Sequence, residues 1–197
     1  MIRTRRLRCE PVVASHADVM FPVLRDPRIY THLPDEPPVS LEALRARYEF
    51  LSPGTSPDGS EHWLNWMLFL AETGQAIGFC QATVRDAGCS VAYVLNPAYQ
   101  GKGYATEATT GVVSRLFERF DLRSVQAEIH VDNAASIALV KRLGFSFLRH
   151  DADENDDIYE VTQAVWTDLN GGGGEQARIR YPHFAQVPLF DGRRPSL

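Results

Sequence analysis

The chain has 197 residues, a length that fits one domain able to bury roughly 70% of its unfolded surface. Its composition, 44% hydrophobic and 23% charged, is that of a globular protein, and its net charge of −5 argues against nucleic acid as a partner. No apolar run approaches the roughly 18 residues that a membrane span needs, so no membrane role is expected.

The three cysteines, Cys9, Cys80 and Cys89, are odd in number and include no Cys-x-x-Cys pair. This usage argues against a disulfide framework and against a zinc site. We therefore predict a cytoplasmic protein that binds no metal. Cys80 lies in an apolar run and is expected to be a core residue rather than a nucleophile.

The N-terminal part of the chain predicts one strand and two helices. The strand covers residues 3–13, and a helix is expected from Ser15 or Asp18 to about residue 24. A better helix is predicted over 40–51, where Ser40 can act as the N-cap. The strand contains four arginines, Arg3, Arg5, Arg6 and Arg8, which we expect in solvent or at a sheet edge.

The remaining elements alternate between strands and helices. Strands are predicted at 63–71, 75–84, 90–95 and 124–130, helices at 103–120 and 134–143, and a hairpin of 145–149 with 158–165. This order predicts an α/β (α+β) domain with a mixed sheet. Gly171 to Gly174 form a predicted hinge, so we expect one domain over 1–170 and an extension over 171–197 that packs on this subunit or on a partner.

The segment 96–107 is the most informative part of the sequence. It joins a predicted strand to the long helix through a turn that contains Gly101 and Gly103, which permit unusual backbone dihedrals and the close approach of a ligand. The unpaired amides of the first helical turn point at the same place, with the helix dipole behind them. This arrangement is typical of a pyrophosphate site, and Lys102 adds a positive charge nearby.

Two other phosphate-binding loops fit this segment poorly. The P-loop needs Ser or Thr after Gly-Lys, whereas Gly103 follows Lys102 here. The dinucleotide fingerprint needs a small third residue where Thr106 stands, and it usually opens the first strand–helix unit, although several strands come earlier in this chain. An NAD-type oxidoreductase is therefore not favoured.

Two blocks of the sequence resemble the GNAT superfamily of N-acetyltransferases. Residues 100–105, Gln-Gly-Lys-Gly-Tyr-Ala, are similar to its Gln/Arg-x-x-Gly-x-Gly/Ala motif, and residues 133–145, from Asn to Gly-Phe, are similar to its second block. The ends at 3–8 and 157–166 resemble the ribosomal-protein N-acetyltransferase branch in particular, so the likeness covers roughly residues 2–167. It implies a mixed, mostly antiparallel central sheet flanked by helices, and direct transfer of acetyl from acetyl-CoA to an amine.

The resemblance also implies which residues contact coenzyme A. Amides of the glycine loop would hold the pyrophosphate, and the end of the preceding strand would bind the pantetheine arm like an added strand, with one amide there polarising the thioester carbonyl. The resulting set is Tyr93, Val94, Leu95, Gln100, Gly101, Lys102, Gly103, Tyr104, Ala105, Thr106 and Asn133. For Tyr93 the alternative is a core aromatic residue, and for Asn133 it is a plain helix N-cap.

The general base is expected on the strand before Asn133. Glu128 stands where some N-terminal acetyltransferases of this kind have their base, and its alternative is an outward-facing strand carboxylate. Glu160 or a water is the other candidate base. His130 alternates onto the same strand face as Glu128 and could relay a proton. Glu107, in the first turn of the long helix, suits the helix dipole and is expected to be structural.

The acid that protonates the departing thiolate is expected on the following helix. Many relatives have a tyrosine seven residues after the Asn, but that position is Val140 here. Ser136 lies one turn earlier on the same helix face, and the resemblance to the ribosomal-protein branch implies that it serves the thiolate. The missing tyrosine leaves open a different class of protein, a non-catalytic acyl-CoA-binding sensor or scaffold.

The acceptor amine cannot be identified from the sequence. A protein N-terminus, a free amino acid, a polyamine and an antibiotic amine are all compatible with the motifs, as are a monomer and a homodimer. The segment 151–157 has five acidic residues in seven. It is either a solvated hairpin tip or a means of attracting a cationic amine.

Overall fold

The computed structural model describes residues 1–86 and 88–170, which form one eight-stranded sheet and five α-helices. The strands are β1 (Ile2–Arg3), β2 (Leu7–Pro11), β3 (His62–Leu70), β4 (Ala76–Arg85), β5 (Gly88–Leu95), β6 (Ser124–His130), β7 (Ser146–Asp151) and β8 (Asp156–Thr162). The helices are α1 (Ala17–Leu24), α2 (Leu41–Leu51), α3 (Tyr104–Arg119), α4 (Ala134–Arg142) and α5 (Gln163–Asn170). Short 3-10 helices cover Ala14–His16, Pro27–His32 and Pro97–Tyr99.

The sheet has the order β1-β2-β3-β4-β5-β6-β8-β7, and every neighbouring pair is antiparallel except β5 with β6. This confirms the predicted mixed, mostly antiparallel sheet flanked by helices. Within the described residues, the parallel pairing of β5 with β6 is limited to Ser90 opposite Gln126. Beyond this contact, toward their carboxyl ends, β5 and β6 form no ladder with each other. This leaves a gap in the middle of the sheet.

Side-chain alternation along β6 assigns the two faces of the sheet. Val125, Ala127 and Ile129 are buried in the same apolar cluster as residues of α3 and α4. The intervening Gln126 and Glu128 therefore point to the opposite face, where α1 and α2 pack in a second apolar cluster. We call these surfaces the α3–α4 face and the α1–α2 face.

Local sequence signals located most of the elements correctly. Helix α2 begins directly after Ser40, whose Oγ accepts a hydrogen bond of 3.1 Å from the Ala43 amide, as an N-cap should. Cys80 is 2% exposed and belongs to the core, as predicted. Within the described residues no helix is both long and apolar enough to cross a bilayer. The predicted hinge at 171–174 and the extension over 171–197 lie outside the described residues, so the boundary at 170 stays a prediction.

Two predicted strands differ from those in the structure. The strand over 3–13 is instead a hairpin of β1 and β2, because Thr4 and Leu7 close a turn in which the Thr4 amide donates to the Leu7 carbonyl at 3.0 Å. The strand over 158–165 ends at Thr162, and α5 follows. Trp166 then lies on a helix, 4% exposed, with its indole Nε1 donating to Ser114 Oγ at 3.2 Å.

Candidate active site

The glycine loop lies between β5 and α3. Gly101 and Gly103 have φ of +71° and +80°, in the left-handed region that favours glycine, and Gly103 is the N-cap of α3 without a side-chain cap. The first-turn amides of α3 therefore have neither an intrahelical partner nor a side-chain cap. A Cβ added at Gly101 would meet no atom within 4 Å, so there is open space beside the loop. An anion can approach the amides from this side.

Glu107 ties the loop to the N-terminal hairpin. Its carboxylate accepts hydrogen bonds from Thr4 Oγ1 at 2.6 Å, the Arg6 amide at 2.7 Å and Arg6 Nε at 2.6 Å. Arg6 Nη1 also donates to the Lys102 carbonyl at 3.1 Å. The structural role predicted for Glu107 therefore holds. Arg6 lies in the turn of the hairpin at the sheet edge, and its side chain in addition holds the start of α3.

Glu107 is expected to stabilise the fold in a pH-dependent way. Burial, the largest influence, opposes its ionisation, but the hydrogen bonds from Thr4 and Arg6 together hold its pKa below the ordinary value of 4.5. Glu107→Gln should therefore lower the free energy of unfolding by about 1–3 kcal/mol at neutral pH. Because the folded pKa is depressed, this difference should shrink as pH falls below about 4.5.

Denaturant unfolding of wild type and variant across pH 3–7 measures this effect. Glu118→Gln is the matched control, since Glu118 is an exposed residue of the same helix that pairs with Arg115 at 3.3 Å. It should change stability little. A Glu107→Gln variant that is as stable as wild type at every pH would contradict the role of this network.

The side chains of Gln100 and Lys102 bond within the loop. Gln100 Nε2 donates to the Leu95 carbonyl at 3.1 Å, which connects the loop to the end of β5. Lys102 Nζ donates to the Ala98 carbonyl at 2.8 Å and lies 5.4 Å from the ring centroid of Tyr99. The Lys102 side chain therefore folds back onto the loop, and its positive charge stays there.

A group of polar residues meets at the start of α4, on the α3–α4 face. Asn133 Oδ1 accepts from the Ser136 amide at 3.1 Å, so Asn133 is the N-cap of the helix. The hydroxyl of Tyr93, on β5, donates to the Ser136 carbonyl at 3.4 Å. Burial raises the pKa of Tyr93 to about 12, so this hydroxyl stays protonated at neutral pH. Three of the predicted site residues are therefore neighbours, although Asn133 and Tyr93 also have the structural contacts that were their alternatives.

The valine in place of the family's usual tyrosine is a core residue. Val140 is 0% exposed and packs in the cluster under α3 and α4. Its side chain therefore has no chemical role, as the sequence predicted.

Glu128 and His130 lie on the other face of the sheet. Glu128 is exposed and pairs across the sheet with Ile158, and His130 pairs with Asp156 at the base of the acidic hairpin. His130 Nδ1 accepts from the Asp132 amide at 3.3 Å. Its ring stacks on His32, with ring centroids 5.8 Å apart and planes at 27°. His32 belongs to the 3-10 helix after α1, and no sequence signal indicated this contact.

Glu160 is held by side chains of the neighbouring strand β6. Its Oε1 accepts from Ser124 Oγ at 2.8 Å and from Gln126 Nε2 at 3.0 Å. It also pairs with Gln126, at the closed end of the gap, whereas Glu128 lies two pairs further toward the open end. The arrangement thus has a carboxylate on the α1–α2 face and hydroxyl groups on the α3–α4 face, with the gap between them. No group of three or more His, Cys, Asp or Glu within the described residues could hold a metal ion.

Comparison with known proteins places this arrangement in a family. Residues 6–146 match the model of the acetyltransferase (GNAT) domain. Uncharacterized N-acetyltransferase p20 of Bacillus licheniformis is 24% identical over 145 residues, which are 72% of this chain and 80% of that protein.

Solved structures share the fold. Spermidine N-acetyltransferase from Vibrio cholerae, in complex with CoA and spermine, has a TM-score of 0.68 and 18% identity, over 84% of this chain and 99% of that chain. RimL, a ribosomal L7/L12 alpha-N-protein acetyltransferase in complex with coenzyme A, has a TM-score of 0.67 and 18% identity, over 81% and 95%. Because the family model covers more than half of its residues, this chain belongs to the GNAT family of acetyltransferases.

Proposed function

We propose that this protein transfers the acetyl group of acetyl-CoA directly to the nitrogen of a primary amine, either a protein N-terminus or a small molecule. The observation that carries this proposal is the gap between β5 and β6. It lies between the glycine loop, which suits an anion, and Glu128, which suits a base. Family membership supports the acetyl donor, and CoA is present in the solved structures of two relatives. We place the protein in the cytoplasm, as a monomer or homodimer, with no nucleic acid, membrane or metal partner.

The chain's own residues fit coenzyme A. The left-handed glycines and the uncapped amides of α3 suit a pyrophosphate, which the backbone of Gly101 to Thr106 would hold. The backbone of Tyr93 to Leu95 borders the gap and would hydrogen-bond the pantetheine arm, with Asn133 on its other side. When bound, acetyl-CoA supplies the acyl group in an activated thioester.

The groups proposed for the two proton transfers lie on opposite faces of the sheet. Glu128, on the α1–α2 face, would take the proton from the amine directly or through a water. A base matters more for a lysine, whose pKa is near 10.4, than for an α-amine, whose pKa is near 8. At pH 7 only about one lysine side chain in 10³ is neutral. Ser136, on the α3–α4 face, would deliver a proton to the sulfur, and a β5 amide would donate to the carbonyl oxygen.

Ser136→Ala should slow thiolate departure by about 10²-fold. The defect should shrink with a thioester donor whose thiol is more acidic, because such a thiolate leaves without protonation. Rates with both donors, compared for Ser136→Ala and for Ser146→Ala on the exposed edge strand, test this role. If the two donors show equal defects, Ser136 is not the acid, and Tyr93→Phe becomes the next variant to measure.

The acidic hairpin supports an acceptor whose reactive amine is cationic until it loses its proton. The segment 151–157 joins β7 to β8, and its residue Asp156 pairs with His130, beside Glu128. The spermine in the spermidine N-acetyltransferase complex is an amine of this kind. A panel of amines that includes peptides, polyamines and aminoglycosides, with thiol release from acetyl-CoA as the measurement, tests both the activity and the acceptor class.

One observation favours a second function. Buried Val140 removes the acid that many relatives have, which suits a domain that binds acyl-CoA as a sensor or scaffold without turnover. Tight coenzyme A binding together with silence toward every amine would favour that function over catalysis.

A further inference from the structure

The positively charged side chain of Arg47 lies on the packed side of α2. Leu44, Tyr48 and Leu51 are buried on this side of the helix, and Arg47 shares it at the neighbouring helical position. The Arg47 side chain is half-buried, and burial lowers its pKa although the charge of Asp35 opposes that shift. Arginine is seldom buried without a partner that compensates its charge.

Arg47 lines a pocket together with polar side chains of the sheet. The pocket wall includes Asn65 on β3 and Gln81 and Thr83 on β4. Asn65 pairs with Gln81 and Trp63 pairs with Thr83, so these four side chains lie in two adjacent rows of one face. Within residues 1–86 and 88–170, the side chains of Gln81 and Thr83 make no hydrogen bond. The pocket therefore combines a positive charge with polar groups that are available to a ligand.

The hydroxyl of Tyr48 is a second unused polar group in this region. Among the residues that the structure describes, this buried hydroxyl has no hydrogen-bond partner, and its electrostatic neighbours are Tyr30 and Arg47. A buried hydroxyl without a partner is rare in folded proteins. Together with Gln81 and Thr83, it shows that polar groups between α2 and the sheet are left without partners among the described residues.

The pocket opens on the same face as Glu128 and connects with the gap through the strand register. Gln81 pairs with Ala92 of β5, and Thr83 pairs with Ser90, which marks the closed end of the gap. The β4 wall of the pocket is two strands away from β6, the strand that carries Glu128. Because neighbouring strands lie about 4.8 Å apart, this wall is about 10 Å from the strand of Glu128.

We infer that this pocket binds a carboxylate of the acceptor, and that the acceptor is an acidic peptide whose negative charge lies about 10 Å from its reactive amine. The inference rests on the proposed function, because it assumes that the amine is held beside Glu128. A guanidinium can bind a carboxylate through two parallel hydrogen bonds, and Gln81 and Thr83 can add neutral ones. Since an extended chain advances about 3.3 Å per residue, the carboxylate belongs to about the third or fourth residue or to the terminus of a tripeptide.

A panel of short peptides with free N-termini tests the inference. One has neutral side chains and an amidated end, one has an acidic residue at position 3 or 4, and one is a neutral tripeptide with a free carboxyl end. Wild type should have a kcat/KM roughly tenfold higher for a peptide with the carboxylate than for the neutral peptide, as expected for one charge-assisted contact. The second and third peptides distinguish a side-chain carboxylate from a terminal one.

Arg47→Gln should abolish this preference while leaving the rate with the neutral peptide unchanged. Arg45→Gln is the matched control, because Arg45 lies on the same helix, is exposed and pairs with Asp18 at 2.6 Å. Arg47→Lys should keep part of the preference, since a lysine retains the charge without the paired geometry. Asp35→Asn should increase it, because a competing negative charge is removed.

Calorimetric binding of an N-acetylated acidic peptide provides a readout that needs no turnover. Wild type should bind it at least tenfold more tightly than Arg47→Gln does. If wild type does not discriminate among the peptides, or if Arg47→Gln still does, the inference is wrong and the proposed function is unaffected. If no amine is acetylated but the acetylated acidic peptide binds through Arg47, the carboxylate site stands and the proposed function fails.

Discussion

Gly103→Asp is expected to abolish coenzyme A binding while the sheet and helices keep their structure. Gly103 has φ of +80° at the N-cap of α3, and the added carboxylate would occupy the amides that should hold the pyrophosphate. A Cβ at this position would lie 3.4 Å from Arg6 Nη2, so the carboxylate would also be held in place by that guanidinium. Like-charge repulsion and lost amide contacts should together weaken binding at least 100-fold.

Two control variants separate charge from backbone strain. Gly103→Ala introduces the left-handed strain, about 1 kcal/mol, without a charge, and it should weaken binding far less. Gly59→Asp places the same residue at another left-handed glycine, with φ of +74° and nothing within 4 Å, and it should not affect binding. Calorimetric titration with coenzyme A measures all three variants. If Gly103→Asp has wild-type affinity, the loop does not hold the pyrophosphate.

Glu128→Gln is expected to lower kcat/KM by roughly 10²–10⁴-fold with little change in acetyl-CoA affinity. The amide has the shape of the carboxylate but cannot accept a proton, and Glu128 lies on the face opposite the expected donor site. The acidic limb of the pH–rate profile should disappear in this variant and survive in Ser136→Ala, provided that ionisation of the amine does not mask it.

Glu160→Gln is the matched control for Glu128→Gln. Glu160 is a neighbouring strand carboxylate at the closed end of the gap, where Ser124 and Gln126 donate to it. Its substitution should leave the acidic limb of the pH–rate profile in place. If Glu128→Gln retains both the full rate and that limb, the base lies elsewhere, at Glu160 or at a water near His130.

Features that depend on short stretches of sequence were predicted well. The cap at Ser40, the glycine turn at Gly101 and Gly103, and the strand over 124–130 each depend on residues within one turn or one strand. Capping, glycine dihedral preferences and strand alternation each depend on neighbouring residues, so these features can be predicted without knowledge of the fold. The resemblance to the GNAT family then supplied the mixed, mostly antiparallel character of the sheet.

Features that depend on distant contacts were missed. The hairpin of β1 and β2 is held by Glu107, about a hundred residues away, and α5 is held by Trp166 against Ser114. The stacking of His32 on His130 also joins segments that are far apart in the chain. No local pattern encodes such pairs.

The candidate site shows the same division. Its pyrophosphate loop was visible in the sequence because it is continuous. The position of Tyr93 against Ser136, and that of Arg47 against Gln81, depend on strand register and on which side of a helix faces the sheet. Arg47 was overlooked because an arginine in an amphipathic helix is usually exposed.

Transfer of an isotopically labelled acetyl group is the most direct test of the central claim. Wild-type protein is mixed with labelled acetyl-CoA and an amine, and mass spectrometry follows both the amine and the intact protein chain. Direct transfer predicts one labelled acetyl on the amine nitrogen for each thiol released, and no labelled acetyl on the protein during turnover. Binding of coenzyme A without labelled product from any peptide, polyamine or aminoglycoside would contradict the claim and leave the acyl-CoA sensor as the function.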